Sequence, residues 1–205
     1  MMIGRTNVKV KPNKKKSLIN YVEYLESTGT QYIDTEINAD NKLSLVIDMQ
    51  LTNLNETQYF GVIKSNGSNS YTRHHFTAYA SDIQYHTNTQ GNSILTSNLT
   101  ERHLFNIDIY NKKITVDDAT TKNLTFSDFD TGLNYWLFKR NSNSSSLQIS
   151  IKMRIYSCKM YYEGALVRDF KPVKDGTGVY CLYDEIEKRY FYNQGTGSFS
   201  GGASL

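Results

Sequence analysis

The chain has 205 residues with a formal net charge of +3, and 13% of its residues are aromatic. Length and composition fit a single domain with thin sheets, because each of the 16 tyrosines can pack its ring while the hydroxyl meets water. No run of about 18 apolar residues is present, which argues against a transmembrane helix. Two cysteines do not make a disulfide scaffold, so Cys158 and Cys181 are expected to be reduced and to lie in or beside strands.

The first 20 residues are strongly basic. They contain Arg5 and five lysines but no acidic residue, so removing these six positive charges from the total of +3 leaves −3 for the rest. We interpret residues 1–20 as a basic N-terminal arm and residues 21–205 as one folded domain. The lysines of the arm are Lys9, Lys11, Lys14, Lys15 and Lys16.

The arm is a candidate assembly element. A basic segment can bind an acidic protein neighbour, nucleic acid or an anionic membrane, and a solvated leader is the alternative. No aromatic residue is interleaved with the lysines, so specific nucleic-acid recognition is not expected. Val8 and Val10 alternate with polar residues, which favours strand addition to the sheet edge of a neighbouring subunit. The arm also lacks the pattern of a secretory signal, and no membrane partner is expected.

Three longer segments alternate apolar and polar residues, as strands with one buried face do. These segments are residues 42–51, 104–110 and 147–155. Because their opposite faces are polar, the pattern predicts an antiparallel sandwich of two sheets, each wet on its outer side.

Shorter strands are predicted between these segments, separated by turns rich in Asn, Gly and Ser. Ser127 is expected to cap a short helical turn over residues 126–129. Pro172 is expected to end a strand or mark an edge bend, and the glycines after residue 194 are expected to release the chain from the domain. The shorter strands are residues 32–37, 59–63, 75–79, 83–86, 113–116, 124–126, 135–138, 165–170, 178–183 and 190–192.

The two ends of the chain carry recognisable motifs. Residues 21–35 read YVEYLESTGTQYIDT, residues 167–173 read VRDFKPV and residues 179–183 read VYCLY. These segments resemble the ends of lectin-like jelly-roll domains, of the concanavalin A and laminin G type, in phage and prophage virion proteins. The resemblance covers residues 21–202. It implies an all-β, two-sheet antiparallel jelly-roll sandwich in which residues 21–25 lie beside the closing hairpin, and it carries no catalytic mechanism.

Paired acids for glycoside hydrolysis are poorly placed. Such enzymes on β-sandwiches use two acidic groups, about 5–5.5 Å apart in retaining enzymes. Glu185 and Glu187 fall in a predicted hairpin turn, and Asp128 and Asp130 fall in another polar connection. Asp108 lies on a strand without an acidic residue two positions away. A β-sandwich glycoside hydrolase is therefore the weakest alternative, and no enzymatic activity is predicted.

Metal ligation also has a weak signal. The four histidines form no zinc motif, and the adjacent His74 and His75 should point to opposite faces of a strand. The resemblance to laminin G domains implies that calcium is the one cofactor to consider, at loop carboxylates on a sandwich rim. Solvated loop acids are the alternative. The candidate ligands are Asp117, Asp118, Asp128 and Asp130.

One segment combines the groups that sugar recognition needs. Residues 71–79 read YTRHHFTAY, so rings that can stack on a pyranose lie beside polar groups that can bind its edge. An aromatic outer sheet that faces water or packs on a neighbouring subunit is the alternative interpretation. The candidate glycan-binding residues are Tyr71, His75, Tyr79 and Tyr85.

The resemblance and the arm together predict a phage or prophage virion structural protein, either a capsid decoration or a tail or fibre component. Its partners would be other virion subunits, in a homo-oligomer or in many copies per particle, reached through the arm. The protein would be made in the host cytoplasm and incorporated into the virion. A carbohydrate-binding module for host cell-surface glycans is the first alternative.

Overall fold

The computed structural model describes residues 19–54 and 57–205. Within these residues the regular elements are eighteen β-strands and one 3₁₀ turn, Ser145–Leu147. No helix in this part of the chain is long and apolar enough to cross a membrane. The strands are β1 (Asn20–Tyr21), β2 (Leu25–Thr28), β3 (Ile33–Asp40), β4 (Leu43–Leu51), β5 (Gln58–Ser65), β6 (Tyr71–Ala78), β7 (Ile83–Thr87), β8 (Gln90–Leu95), β9 (Arg102–Asp108), β10 (Lys113–Val116), β11 (Thr120–Asn123), β12 (Asp130–Leu137), β13 (Arg140–Ser142), β14 (Lys152–Tyr162), β15 (Ala165–Lys174), β16 (Tyr180–Asp184), β17 (Arg189–Phe191) and β18 (Ser200–Gly201).

The strands form two sheets that pack face to face. The first sheet has the order β11-β10-β9-β4-β14-β15-β16-β17, with β1 beside β15 and β2 between β14 and β18. The second sheet has the order β3-β12-β5-β6-β7-β8, with β13 also beside β5. The described strand pairs are antiparallel except for β13 with β5. The predicted all-β, two-sheet antiparallel sandwich is confirmed.

Alternation along each strand builds the core between the sheets. In β4, Leu45 and Ile47 are fully buried, whereas Val46 and Asp48 are half-buried on the outer side. Phe76 of the second sheet meets Phe105 of the first with their ring centroids 5.4 Å apart. Each such buried side chain stabilises the fold by about 1.5–3 kcal/mol, so the contact between sheets dominates stability.

The two ends of the described chain meet on the first sheet. Tyr21 pairs with Val173, and its hydroxyl donates a hydrogen bond to Glu185 in the closing hairpin. Gly201 pairs with Leu25. The predicted proximity of residues 21–25 to the closing hairpin is therefore confirmed, whereas the predicted release of the glycine-rich tail is wrong, because β18 completes the sheet beside β2.

Arg168, in the segment VRDFKPV, is buried and forms ion pairs with two acids of the closing hairpin. It lies 2.5 Å from Glu187 and 3.6 Å from Asp184. Asp184 is fully buried and accepts hydrogen bonds from the backbone amides of Asp169 and Ile186. These contacts tie β15 to the hairpin between β16 and β17. Arg168 of the segment VRDFKPV therefore has a structural role in closing the sandwich.

Two predicted strands differ from those observed. Residues 147–155 do not form one strand, because the chain first bridges Lys139 at Ser150 in the second sheet and enters the first sheet only at β14. Residues 124–126 lie outside any strand, because pairing with β10 ends at Asn123.

The predicted helical turn is wrong, and Pro172 does not end a strand. Residues 126–129 contain no helical turn, and Phe129 instead packs edge-on against His74 in the core. Pro172 lies inside β15 rather than at its end. Along one edge of β15, pairing with β14 ends at Phe170 and pairing with β1 begins at Val173. Pro172, which has no amide hydrogen to donate, lies in the gap between these two partner strands.

Candidate functional site

Alternation along β6 separates a core face from an outer face. His74 is fully buried and its ring lies edge-on to Tyr135, 5.4 Å away, between the sheets. His75 points the other way and contacts Tyr59 and His86. The prediction that the two adjacent histidines face opposite sides is confirmed. Tyr71, Arg73 and Tyr79 have the same parity as His75, and we call their side of the second sheet the outer face.

Gly61 of β5 lies at the centre of this outer face. It is paired with His75 on one side and with Trp136 and Arg140 on the other. Its φ is 112°, and a Cβ would lie 2.5 Å from the carbonyl oxygen of His74. Only glycine fits such a close backbone approach, so the floor of the face has no side chain at this point.

A second glycine accommodates the neighbouring histidine. The rings of His75 and His86 stack with centroids 4.8 Å apart. A Cβ on Gly91 of β8 would lie 2.5 Å from Cε1 of His86, so the imidazole lies against the bare backbone of Gly91. Neither ring nitrogen of His86 has a hydrogen-bond partner among the described residues.

Arg140 reaches this face through a strained turn. Phe138, between β12 and β13, has a φ of 67°, which is costly for a bulky side chain. The turn brings the guanidinium carbon of Arg140 to 3.8 Å from the ring centroid of Tyr59. Arg140 Nε donates to the carbonyl of Leu147 at 2.9 Å, and the residue is only 5% exposed. Its position is therefore fixed by a cation–π contact and one backbone acceptor.

The charges of the face are positive. Burial, followed by the nearby His86 and Arg140, holds the pKa of His75 well below its usual value. Burial, followed by Arg73 and Arg140, lowers the pKa of His86 to about 4. Both imidazoles are thus neutral at neutral pH, and the positive charge belongs to the two arginines. The charge of Asp82, in the turn between β6 and β7, acts on the pKa of His86 in the opposite direction.

Three of the four candidate glycan-binding residues share the outer face: Tyr71, His75 and Tyr79. Tyr71 and Tyr79 are half-buried, and His75 is 2% exposed beneath its neighbours. The prediction that Tyr85 contacts a glycan is wrong, because Tyr85 is fully buried in the core and its ring lies edge-on to Phe76.

Sequence reasoning missed three members of the face, Arg73, Tyr59 and Arg140. Arg73 lies inside the segment 71–79, and its parity with His75 is the signal that places it on the outer face. The same parity places His86 outside and Tyr85 inside on β7. Tyr59 and Arg140 join the face only through strand pairing, for which the local sequence carries no signal.

A separate cleft of ≈ 410 Å³ lies at the closing end of the first sheet, lined among others by Tyr180, Tyr192, Asn193 and Phe199. The amide of Asn193 is already used, because its oxygen accepts hydrogen bonds from the backbone of Tyr32 and Gly195. The Tyr192 hydroxyl donates to Asp175 at 3.0 Å. The polar groups of this cleft therefore serve the fold.

Three acids of the predicted pairs, Glu185, Glu187 and Asp130, are held in their ionised form. Hydrogen bonds from Lys188 and Tyr21 lower the pKa of Glu185, and a hydrogen bond from Arg189 lowers the pKa of Glu187. A hydrogen bond from Asn38 likewise lowers the pKa of Asp130. A general acid at neutral pH needs a raised pKa, so these carboxylates are unsuited to that role.

The calcium candidates are spread over different loops. Asp117 binds the ring of His103 at 2.6 Å, and Asp128 accepts a hydrogen bond from Asn41 at 3.0 Å. Asp130 accepts hydrogen bonds from Asn38 and from the amide of Gly132. Across residues 19–54 and 57–205, no three His, Cys, Asp or Glu side chains are grouped so that they could hold a metal ion. The geometry therefore does not support calcium binding by these three acids or by Asp118.

No protein-family model, curated protein or solved structure matches this chain. The resemblance to lectin-like domains of phage virion proteins therefore stays a prediction. The five lysines of the predicted assembly arm, Lys9, Lys11, Lys14, Lys15 and Lys16, lie outside the described residues.

Proposed function

We propose that the protein is a multi-copy structural protein of a phage or prophage particle, as a capsid decoration or a tail or fibre component. In this proposal the N-terminal arm binds neighbouring virion subunits and the sandwich is carried on the particle without a catalytic role. The observation that carries the proposal is the way in which the chain enters the sandwich after the arm.

The entry point is fixed to the first sheet by several contacts. Asn20 and Tyr21 pair with Lys174 and Val173, and the amide of Val22 donates to the carbonyl of Pro172. Ile19, Tyr21 and Tyr190 pack against a small hydrophobic cluster. Its buried members are Val173, Cys181 and Tyr183. A partner that holds the basic segment is thereby coupled to the folded body through backbone hydrogen bonds, as an attachment element requires.

Deletion of residues 1–18 tests this function. Particles are induced from the host strain, purified and analysed for the protein by mass spectrometry. We expect the full chain to be present and the shortened chain to fold, with an unchanged melting temperature, but to be absent from particles. Triple substitution of Lys14, Lys15 and Lys16 by Gln should weaken incorporation, whereas the same change at the exposed Lys112, Lys113 and Lys122 should not. Full incorporation without the arm would refute the proposal.

A second candidate function is recognition of a host cell-surface glycan by the outer face. The observation that favours it is that two half-buried rings of the outer face lie against guanidinium groups, Tyr59 against Arg140 and Tyr71 against Arg73. Tyr79 is also half-buried on this face. Substitution of Tyr71 and Tyr79 by Ala should abolish binding on a glycan array. Tyr110, which is 68% exposed and lies outside the second sheet, gives the matched control substitution. Equal array signals for both variants would exclude this face.

A further inference from the structure

The arginines of the described chain divide into two groups. Arg102, Arg154, Arg168 and Arg189 each form an ion pair with a carboxylate. Arg73 and Arg140 have no carboxylate within ion-pair distance among the described residues, although they lie on the same face of the same sheet. Each donates one side-chain hydrogen bond to a backbone carbonyl, Arg73 to Thr89 and Arg140 to Leu147.

Arg140 is the unusual member, because it is 5% exposed and has no counter-charge. Burial of a charged group costs free energy unless the group is paired, and proteins rarely keep such a charge without a partner. Burial also lowers the pKa of Arg140, and Arg73 acts in the same direction. An anion bound on this face would compensate the charge of both guanidinium groups, with the planar donor geometry that carboxylate and phosphate accept.

The surroundings of the two arginines are those of a prepared site. Arg140 lies against the Tyr59 ring, and Arg73 lies over the Tyr71 ring with 5.1 Å between guanidinium carbon and ring centroid. The strained φ of Phe138 and the bare backbone of Gly61 hold this arrangement. Strain of this kind persists only where the surrounding structure fixes it, and it concentrates at ligand-binding sites.

We infer that the outer face binds an acidic saccharide, with its anionic group on Arg73 and Arg140 and its pyranose ring against the surrounding tyrosines. This inference rests on the second candidate function and adds the charge of the ligand to it. The anionic group is a carboxylate, as in uronic acids, or a phosphate, as in sugar phosphates. Asp82, whose charge acts on His86, accepts a hydrogen bond from Gln84 at 3.0 Å and forms no ion pair with Arg73 or Arg140.

Calorimetric titration of the full chain tests the charge of the ligand. The probes are trigalacturonate, the neutral galactotriose, galactose 1-phosphate and inorganic phosphate alone. We expect one of the two acidic sugars to bind at least tenfold more tightly than galactotriose. Tight binding of trigalacturonate would identify the anionic group as a carboxylate, and tight binding of galactose 1-phosphate would identify it as a phosphate. Arg140→Gln and Arg73→Gln should each remove this preference. Arg102→Gln, which breaks an ion pair with Asp48 on the first sheet, should leave it unchanged.

The outcomes separate the two proposals. Equal binding of acidic and neutral sugars would overturn the inference about charge and leave the glycan function standing. Binding of phosphate as tight as that of the acidic sugars would overturn the saccharide part, since the rings would then contribute nothing. Absence of binding by any sugar would overturn both. Melting curves of each variant establish that it is folded, and Arg73→Gln, at a half-buried position, remains decisive if Arg140→Gln is unstable.

Discussion

Single positions without a side chain decide how the outer face is built. Two constraints require glycine at position 61. Its φ is 112°, and a Cβ there would lie 2.8 Å from the Cα of His75. We predict that Gly61→Ala destabilises the protein by about 2–4 kcal/mol, because both backbone strain and overpacking oppose the methyl group. Chemical denaturation monitored by tyrosine and tryptophan fluorescence measures the loss.

Gly67 provides the control for this prediction. Its φ is also positive, at 84°, but a Cβ there would meet nothing within 4 Å. Gly67→Ala should therefore cost only the strain, about 1 kcal/mol. If the two substitutions had equal effects, the close approach of β5 to β6 would not be what requires glycine at position 61.

The buried histidines make the fold sensitive to acid. Burial lowers the pKa of His74 to about 3, and the unfolded chain has a histidine pKa of about 6.5. The stability that neutral His74 confers is therefore complete above pH 6.5 and is lost as the pH falls towards 3. Between pH 6.5 and pH 5 this amounts to about 2 kcal/mol. We predict that His74→Phe reduces the difference in unfolding free energy between pH 7 and pH 5 by this amount.

His103 supplies a comparison of opposite sign. Burial opposes its charge, but the hydrogen bond to Asp117 and the contact with the Asn98 carbonyl outweigh burial and raise its pKa. Its contribution is present below pH 6.5 and lost as the pH rises through the raised pKa. His103→Gln should therefore cost more stability at pH 5 than at pH 8. A parallel response of the two variants to pH would contradict the assignment of His74 as a neutral core residue.

At this scale the sequence predicted some of the site. Alternation correctly separated His74 from His75, because a strand has a period of two. The same rule applied to β7 would have excluded Tyr85, which shares the buried side with Ile83. Arg140 could not be found in this way, because a change of backbone direction at Phe138 and a parallel pairing with β5 bring it to the face.

Among the elements, the closing hairpin is the one whose attachment depends on buried charge. Arg168 is 5% exposed and holds both Asp184 and Glu187, and its Nε donates to the carbonyl of Thr35 in β3. We predict that Arg168→Met lowers the free energy of unfolding by about 3–5 kcal/mol, because Asp184 would stay buried without its cation. Thermal and urea unfolding measure this loss.

An exposed ion pair is the matched control. Lys42 and Glu163 lie 2.6 Å apart, but their side chains are 48% and 59% exposed. Lys42→Met should leave the free energy of unfolding nearly unchanged, since solvent screens the pair. Comparable small losses in both variants would mean that the cluster at Arg168 behaves as a surface pair and does not fasten the hairpin.

The elements themselves were predictable where one strand stays in one sheet. β4, β9 and β10 follow the alternation of the sequence closely, because each has one buried and one wet face. The segment before β14 was not predictable, because Ile149 and Ser150 pair with the second sheet before the chain crosses to the first. The alternation of apolar residues continues through this crossing, so periodicity alone cannot locate it. Ile149, which the alternation would place in the core, is 38% exposed.

For the molecule as a whole, charge separates the arm from the sandwich. Residues 1–18 carry all six positive charges of the basic segment, and residues 19–205 have a net charge of −3, obtained by taking these six from the total of +3. Within the sandwich, the two unpaired arginines concentrate positive charge on the outer face, whereas the chain enters at the first sheet. Attachment and ligand recognition would therefore use different sheets and could be impaired separately.

This separation leads to a prediction about salt. Exposed charges interact over a Debye length of about 10 Å at 0.1 M ionic strength and over about 3 Å at 1 M. If the lysines of the arm attach the protein, its association with particles that lack it should fall at least tenfold between 0.05 M and 0.5 M NaCl. Binding is measured by sedimentation of labelled protein with particles from a deletion strain. The variant with Gln at Lys14, Lys15 and Lys16 should start weaker and lose less affinity with salt. Arg140→Gln, which changes the outer face alone, should follow the wild-type curve, and a flat salt response of the wild type would exclude attachment through the basic arm.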